Sequence, residues 1–223
     1  MALKDLTLYD LIKDNLTDNC GFNFNSPYIK PTIELLQAIS KSYCDYIKTA
    51  IVNTIVTGPT ASGSPFEGVG VGAITGLTPQ GLNALIIAEL TGFKLDSPFC
   101  KTPELVEAVS HGAITHVLTT IVETDVTGNA TSTPLSSGPL ATGVGKGNLT
   151  ALDGSLMAGL MIPKLTSFKL GNEYCVTQQM ISEISMAIVE HTMNSAEVTT
   201  VVSGVCPAVS GPLSGGVGLG SIS

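Results

Sequence analysis

The sequence predicts an α+β fold made of three tandem copies of a unit of about 75 residues, each a short helix, a longer helix and a glycine-rich β-hairpin or ribbon. Three observations predict it. A glycine phrase recurs almost unchanged, as GVGVG at 68–72, GVGKG at 143–147 and GVGLG at 216–220. Its surroundings recur with it: Pro65-Phe66, Pro139-Leu140 and Pro212-Leu213 stand just before, and Thr57-Gly58, Thr127-Gly128 and Ser203-Gly204 farther upstream. Charge is segregated, since residues 49–66, 126–145 and 198–223 contain no Asp, Glu, Lys or Arg. The units run over 1–77, 78–152 and 153–223, in a pseudo-threefold arrangement that is either a ring or a row.

Each unit opens on a short amphipathic helix, expected over 7–18, 79–91 and 153–163. Thr78 followed by Pro79 at the first helical position marks the second start. A link follows in which GFNFNSPYIKPTIEL (21–35) aligns with GFKLDSPFCKTPEL (92–105) and SFKLGNEYCVTQQM (167–180). Phe22, Phe93 and Phe168 share one position, and Tyr28, Phe99 and Tyr174 share another. Both sets are expected to be buried. Cys100 and Cys175 align with Ile29. An apolar residue replacing the thiol marks a packing position rather than a nucleophile or ligand.

The longer helices begin near Pro31, Pro103 and Thr177. Their core positions include Ile39, Ile114 and Ile188, each preceded by Ala. Val/Ile/Thr-rich strands come next (NTIVTG, TTIVETDVTG and VTTVVSG), bounded by Gly and Pro as in a hairpin. An uncharged ribbon leaves an unprotected edge unless something pairs with it, and the other two ribbons are the nearest candidates.

The glycine phrase does not fit a nucleotide site. A phosphate-binding loop needs Lys directly after its second Gly and a hydroxyl after that. GVGKGN puts Gly147 and Asn148 after Lys146, and the other copies have no Lys there. A dinucleotide fingerprint needs its third Gly three residues after the second. Here the spacing is two throughout, which in a strand puts every glycine on one face. That face has no side chains, so another backbone can approach closely. Gly68, Gly70, Gly72, Gly143, Gly145, Gly147, Gly216, Gly218 and Gly220, with Phe22, Phe93 and Phe168, are therefore structural and interface positions in flat, glycine-faced strands.

Composition narrows the function further. Charged residues make up 13%, about half the average for a soluble domain, so subunit contacts are expected to cover much of the surface. Net charge is −8, and all ten basic residues are Lys, which argues against nucleic acid and anionic membranes. The N-terminal segment has no apolar signal core, and no run reaches the length of a membrane span. Five cysteines without CxxC spacing read as reduced, mostly buried thiols. His111, His116 and His191 have no Cys or carboxylate at ligand spacing and are expected at solvated or interface positions. No catalytic residue, cofactor or metal is expected, and the chain is not read as an enzyme.

A helix leading into a Val/Thr strand and then P-[FL]-x-GVGxG-x-[IL]-[TS] resembles small virion structural proteins of tailed bacteriophages, over 49–77, 117–152 and 196–223. The resemblance implies a virion component of head, neck, tail or baseplate, made in the host cytoplasm. Its partners would be copies of itself and other virion proteins. The alternative reading is a secreted or surface adhesin-like repeat protein.

Overall fold

The computed structural model describes residues 3–170 and 175–223, so Tyr174 lies outside the described residues. Helices α1 (Asp5–Cys20) and α2 (Lys30–Ile47) lead into strands β1 (Ile51–Thr57), β2 (Pro59–Thr60) and β3 (Pro65–Thr75). Next come α3 (Pro79–Glu89), α4 (Thr102–Val117), β4 (Ile121–Ala130) and β5 (Gly138–Thr150). Last are α5 (Gly154–Met161), a 3-10 turn (Ile162–Lys164), α6 (Thr177–Ser195), β6 (Val198–Cys206), β7 (Gly211–Pro212) and β8 (Ser214–Ile222).

Local chemistry sets the helix ends. Thr78 Oγ1 accepts the Gly81 N–H at 3.1 Å, with Pro79 in the first turn, so α3 starts there. Asp153 does the same for α5, accepting the Leu156 N–H at 2.8 Å. Helix α1 stops at Gly21, whose φ of 70° an L side chain rarely adopts.

The helices form a closed ring. Each packs on the next in sequence, and α6 returns to α1. Ile39, Ile114 and Ile188 are fully buried in one cluster with Leu36, Val109 and Ile184. Tyr43 Oη lies 2.7 Å from Thr192 Oγ1, tying α2 to α6 inside that cluster. Phe22, Phe93 and Phe168 are half-buried against the same core, joined by Phe24, Leu95 and Leu170.

The strands close into a six-stranded barrel in the order β1-β3-β4-β5-β6-β8, every pairing antiparallel and β8 returning to β1. β2 and β7 make a separate two-stranded clasp. This corrects the expectation of flat ribbons. Glycine-faced strands accept sharp curvature and close approach, and closure leaves no strand edge unpaired.

Val52, Val122, Val198, Ile74, Leu149 and Ile222 fill the barrel end next to the helices and belong to the helical core cluster. A second cluster fills the far end: Val56, Phe66, Val126, Ala130, Leu140, Val202, Cys206 and Leu213.

Two further expectations are corrected. Tyr28 and Phe99 are 90% and 89% exposed. Each sits in a Ser-Pro turn in which the serine hydroxyl and carbonyl accept the N–H groups of residues 28 and 29, or 99 and 100, and the ring is left outside. Cys100, at the end of the second turn, and Cys175 are half-buried, and only Cys44 and Cys206 of the five thiols are buried.

Candidate functional site

The molecule's most constrained region is the middle of the barrel. There β1, β4 and β6 carry one pattern, Val-x-Thr-x-Val, as Val52-Thr54-Val56, Val122-Thr124-Val126 and Val198-Thr200-Val202. All nine side chains are buried. The intervening strands β3, β5 and β8 present the glycine ladders. An eight-stranded barrel is just wide enough for its own side chains, so at its middle one of six strands has room for them from only every second strand.

The glycine surroundings show how tight this is. A Cβ added at Gly70 would overlap Thr124 Oγ1 and stand 3.2 Å from Thr54 Oγ1. One at Gly145 would overlap Thr200 Oγ1 and stand 3.1 Å from Thr124 Oγ1. At Gly218 it would overlap Thr54 Oγ1 and stand 3.1 Å from Thr200 Oγ1. Three threonines and three glycines thus alternate in one layer. Gly72, Gly147 and Gly220 are tighter still, because the added atom would meet the backbone carbonyls of Asn53, Glu123 and Thr199. Gly68, Gly143 and Gly216 press on the carbonyls of Thr57, Val202 and Val56.

The threonine layer escaped the sequence reading. Its signal was the recurrence of Val-x-Thr-x-Val at strands whose alternation drew attention only as strand propensity. The hydroxyls are poorly matched to their surroundings. Thr124 Oγ1 donates to Gly70 O at 3.3 Å, while the buried hydroxyls of Thr54 and Thr200 have no hydrogen-bond partner among the described protein atoms.

Two of the three histidines are not at solvated positions. His116 and His191 are buried, and His111 is half-buried. The Asp153 backbone N–H donates to His116 Nε2 at 2.8 Å, so that nitrogen carries a lone pair and the ring is neutral. Burial holds the His116 pKa below its ordinary value, against a smaller upward pull from Asp153. His191 Nε2 stands 3.7 Å from Cys44 Sγ. Burial first, and Lys48 second, hold the His191 pKa down, and burial pushes the Cys44 thiol up to about 12. A protonated thiol of this kind is not a nucleophile at neutral pH.

A polar cleft of about 230 Å³ lies between α3, α4 and the 3-10 turn, lined by Gln80, Asn83, Glu107, His111 and Lys164. Among the described residues, no three His, Cys, Asp or Glu side chains stand together as a metal set, and no helix is long and apolar enough to cross a membrane.

Exposed apolar side chains stand on the helices, among them Leu6, Leu85, Leu156, Met186 and Met193, and in three further places. Tyr28 and Phe99 stand on the helix-to-helix loops, Leu135 and Val209 on the loops at the barrel's far end, and Ile55, Val69, Val71, Val201, Val217 and Leu219 on the barrel's outer wall. Comparison with protein-family models, curated proteins and solved structures returns no match.

Proposed function

We propose that this chain is a structural assembly subunit of a bacteriophage virion, acting through packing against copies of itself and other virion proteins. The observation that carries the reading is the division of the barrel. Its inner wall devotes nine glycines and nine buried valines and threonines to shape, while its outer wall leaves large apolar side chains open. An enzyme's most constrained region carries converging polar groups. Here that region contains Val, Thr and Gly alone.

Within this proposal the chain is three fused copies of one unit about a pseudo-threefold axis along the barrel. Several features support it. The order helix, helix, strand, strand occurs three times. Thr54, Thr124 and Thr200 occupy corresponding registers opposite Gly72, Gly147 and Gly220. The three central glycines each face two of those threonines. Fusing the units lets one chain occupy a threefold position, and it frees each unit's surface to diverge.

The test is self-assembly of the full chain, followed by sedimentation velocity across a wide concentration range and by electron microscopy of the product. Discrete oligomers, rings, tubes or shells are expected. A chain that stays monomeric at the highest concentration, and turns over a substrate in the polar cleft, overturns the proposal.

A further inference from the structure

The helix ring has junctions of matching build, and one of them carries charges without a partner. At the α2–α3 junction Lys41 Nζ lies 2.7 Å from Glu89 Oε1. At the α4–α5 junction His111 takes the place of Lys41, standing between buried Val109 and Ala113 as Lys41 stands between buried Ile39 and Tyr43. Lys164 takes the place of Glu89, each directly before a buried leucine, Leu165 or Leu90. Both members of the pair differ, and the two basic groups cannot form an ion pair with each other. At the α6–α1 junction the corresponding residues are Met186 and Asn15, neither of them charged.

The polar cleft between α3, α4 and the 3-10 turn is built on this exchange. His111 and Lys164 line it with Pro79, Gln80, Asn83 and Glu107. None of its five polar side chains makes a hydrogen bond or ion pair with another described residue. Asn83, His111 and Lys164 are nonetheless half-buried. Comparable groups elsewhere on the helices are engaged. Glu104 accepts the Ser167 N–H at 2.7 Å, Lys30 stands 3.7 Å from Glu34, and Gln179 donates to Asn19 O.

We infer that this cleft binds a small zwitterion of the α-amino acid type, its carboxylate held by Lys164 and His111 and its ammonium by Glu107. Charge selects that class first. Lys164 and Glu107 bring one charge of each sign, matching a molecule that carries both. A polyanion would also meet the field of a chain carrying −8.

Local polarity agrees. Pro79 is the first residue of α3, and the positive end of that helix favours a carboxylate beside it. The amides of Gln80 and Asn83 each supply donors and an acceptor, and the His111 ring offers an N–H in either protonation state. Size is the last consideration. The cleft's volume of about 230 Å³ lies below the roughly 300 Å³ at which pockets for drug-sized ligands begin, and it suits a single amino acid. None of these residues belongs to the barrel, so the site does not depend on the assembly reading.

The experiment is isothermal titration calorimetry of the full chain against each standard L-amino acid, with acetate and ethylammonium as probes of one charge only. At least one amino acid should bind saturably, and neither single-charge probe should match it. Lys164→Met and Glu107→Gln should each weaken that binding at least about 10-fold. Lys41→Met, at the corresponding place on the α2–α3 junction, should leave it unchanged. Thermal melts without ligand establish that every variant is folded. Binding that survives both cleft variants, or acetate bound as tightly as the amino acid, overturns the assignment. So does a lack of saturable binding by every amino acid, a result that leaves the assembly reading standing.

Discussion

Tyr43 donates its hydroxyl to Thr192 Oγ1 across 2.7 Å of fully buried space, joining α2 to α6. The direction follows from Thr192, whose own proton goes to Ile188 O at 2.7 Å within its helix. The threonine oxygen is thus free to accept. This is a long-range tie between residues 149 apart, in a ring where most neighbours are consecutive helices.

Tyr43→Phe keeps the ring and removes only that tie. Thr192 retains its bond to Ile188, so no donor is orphaned. The expected loss is about 1 kcal/mol of folding stability, read as a shift in denaturant midpoint without a change in slope. A variant as stable as wild type would show that the hydroxyl contributes nothing to closing the ring.

The hydroxyls of the barrel layer predict a change of opposite sign. Thr200 is buried between Val198 and Val202, and its Oγ1 has no protein partner. Thr200→Val keeps the shape and removes the unsatisfied group, so stability should rise by about 1 kcal/mol. Thr54→Val should behave alike. Destabilisation by either substitution would mean that the three hydroxyls share an enclosed water along the barrel axis.

Acid sensitivity should come from His116 and His191. Both have folded pKa values below their ordinary value of about 6.5, so the unfolded chain binds protons first as pH falls. Their contribution is complete above about pH 6.5 and is lost as pH falls through the lower folded values. Protonating His116 also destroys the acceptor that receives the Asp153 N–H. Stability measured from about pH 7.5 to about pH 5.5 should therefore decline, and His116→Gln should flatten that decline. A flat profile in the wild-type chain would contradict the assignment.

Much of the secondary structure was legible because its signals are local. Thr78-Pro79 and the Val/Thr runs announced α3 and the long strands, and the period-two glycines announced a face without side chains. Closure was not legible, since curvature depends on which ribbon meets which, and nothing in GVGVG specifies the partner. The exposure of Tyr28 and Phe99 was hidden for a related reason: a Ser-Pro turn decides where the ring points, while an aromatic residue at corresponding positions suggests a core. The burial of His116 depended on Asp153, which is 37 residues away in sequence.

The glycine ladders supply the sharpest ranking. At Gly70, Gly145 and Gly218 an added Cβ meets threonine hydroxyls, which can give way only by leaving their rotamers in a crowded layer. Gly70→Val, Gly145→Val and Gly218→Val should each cost about 2 kcal/mol or more, the range for forcing atoms into a filled core. At Gly72, Gly147 and Gly220 the obstacle is backbone carbonyl, and no rotamer relieves it. Even Gly147→Ala should therefore cost more than Gly145→Ala, and it should lower the yield of folded chain. Gly159, on the exposed side of α5 with nothing near an added Cβ, provides the contrast. There Ala should raise stability by up to about 1 kcal/mol, through helix propensity alone. Thermal melts of these variants, compared side by side, check the order. Equal tolerance at Gly145, Gly147 and Gly159 would mean that the ladders do not line a tightly filled barrel.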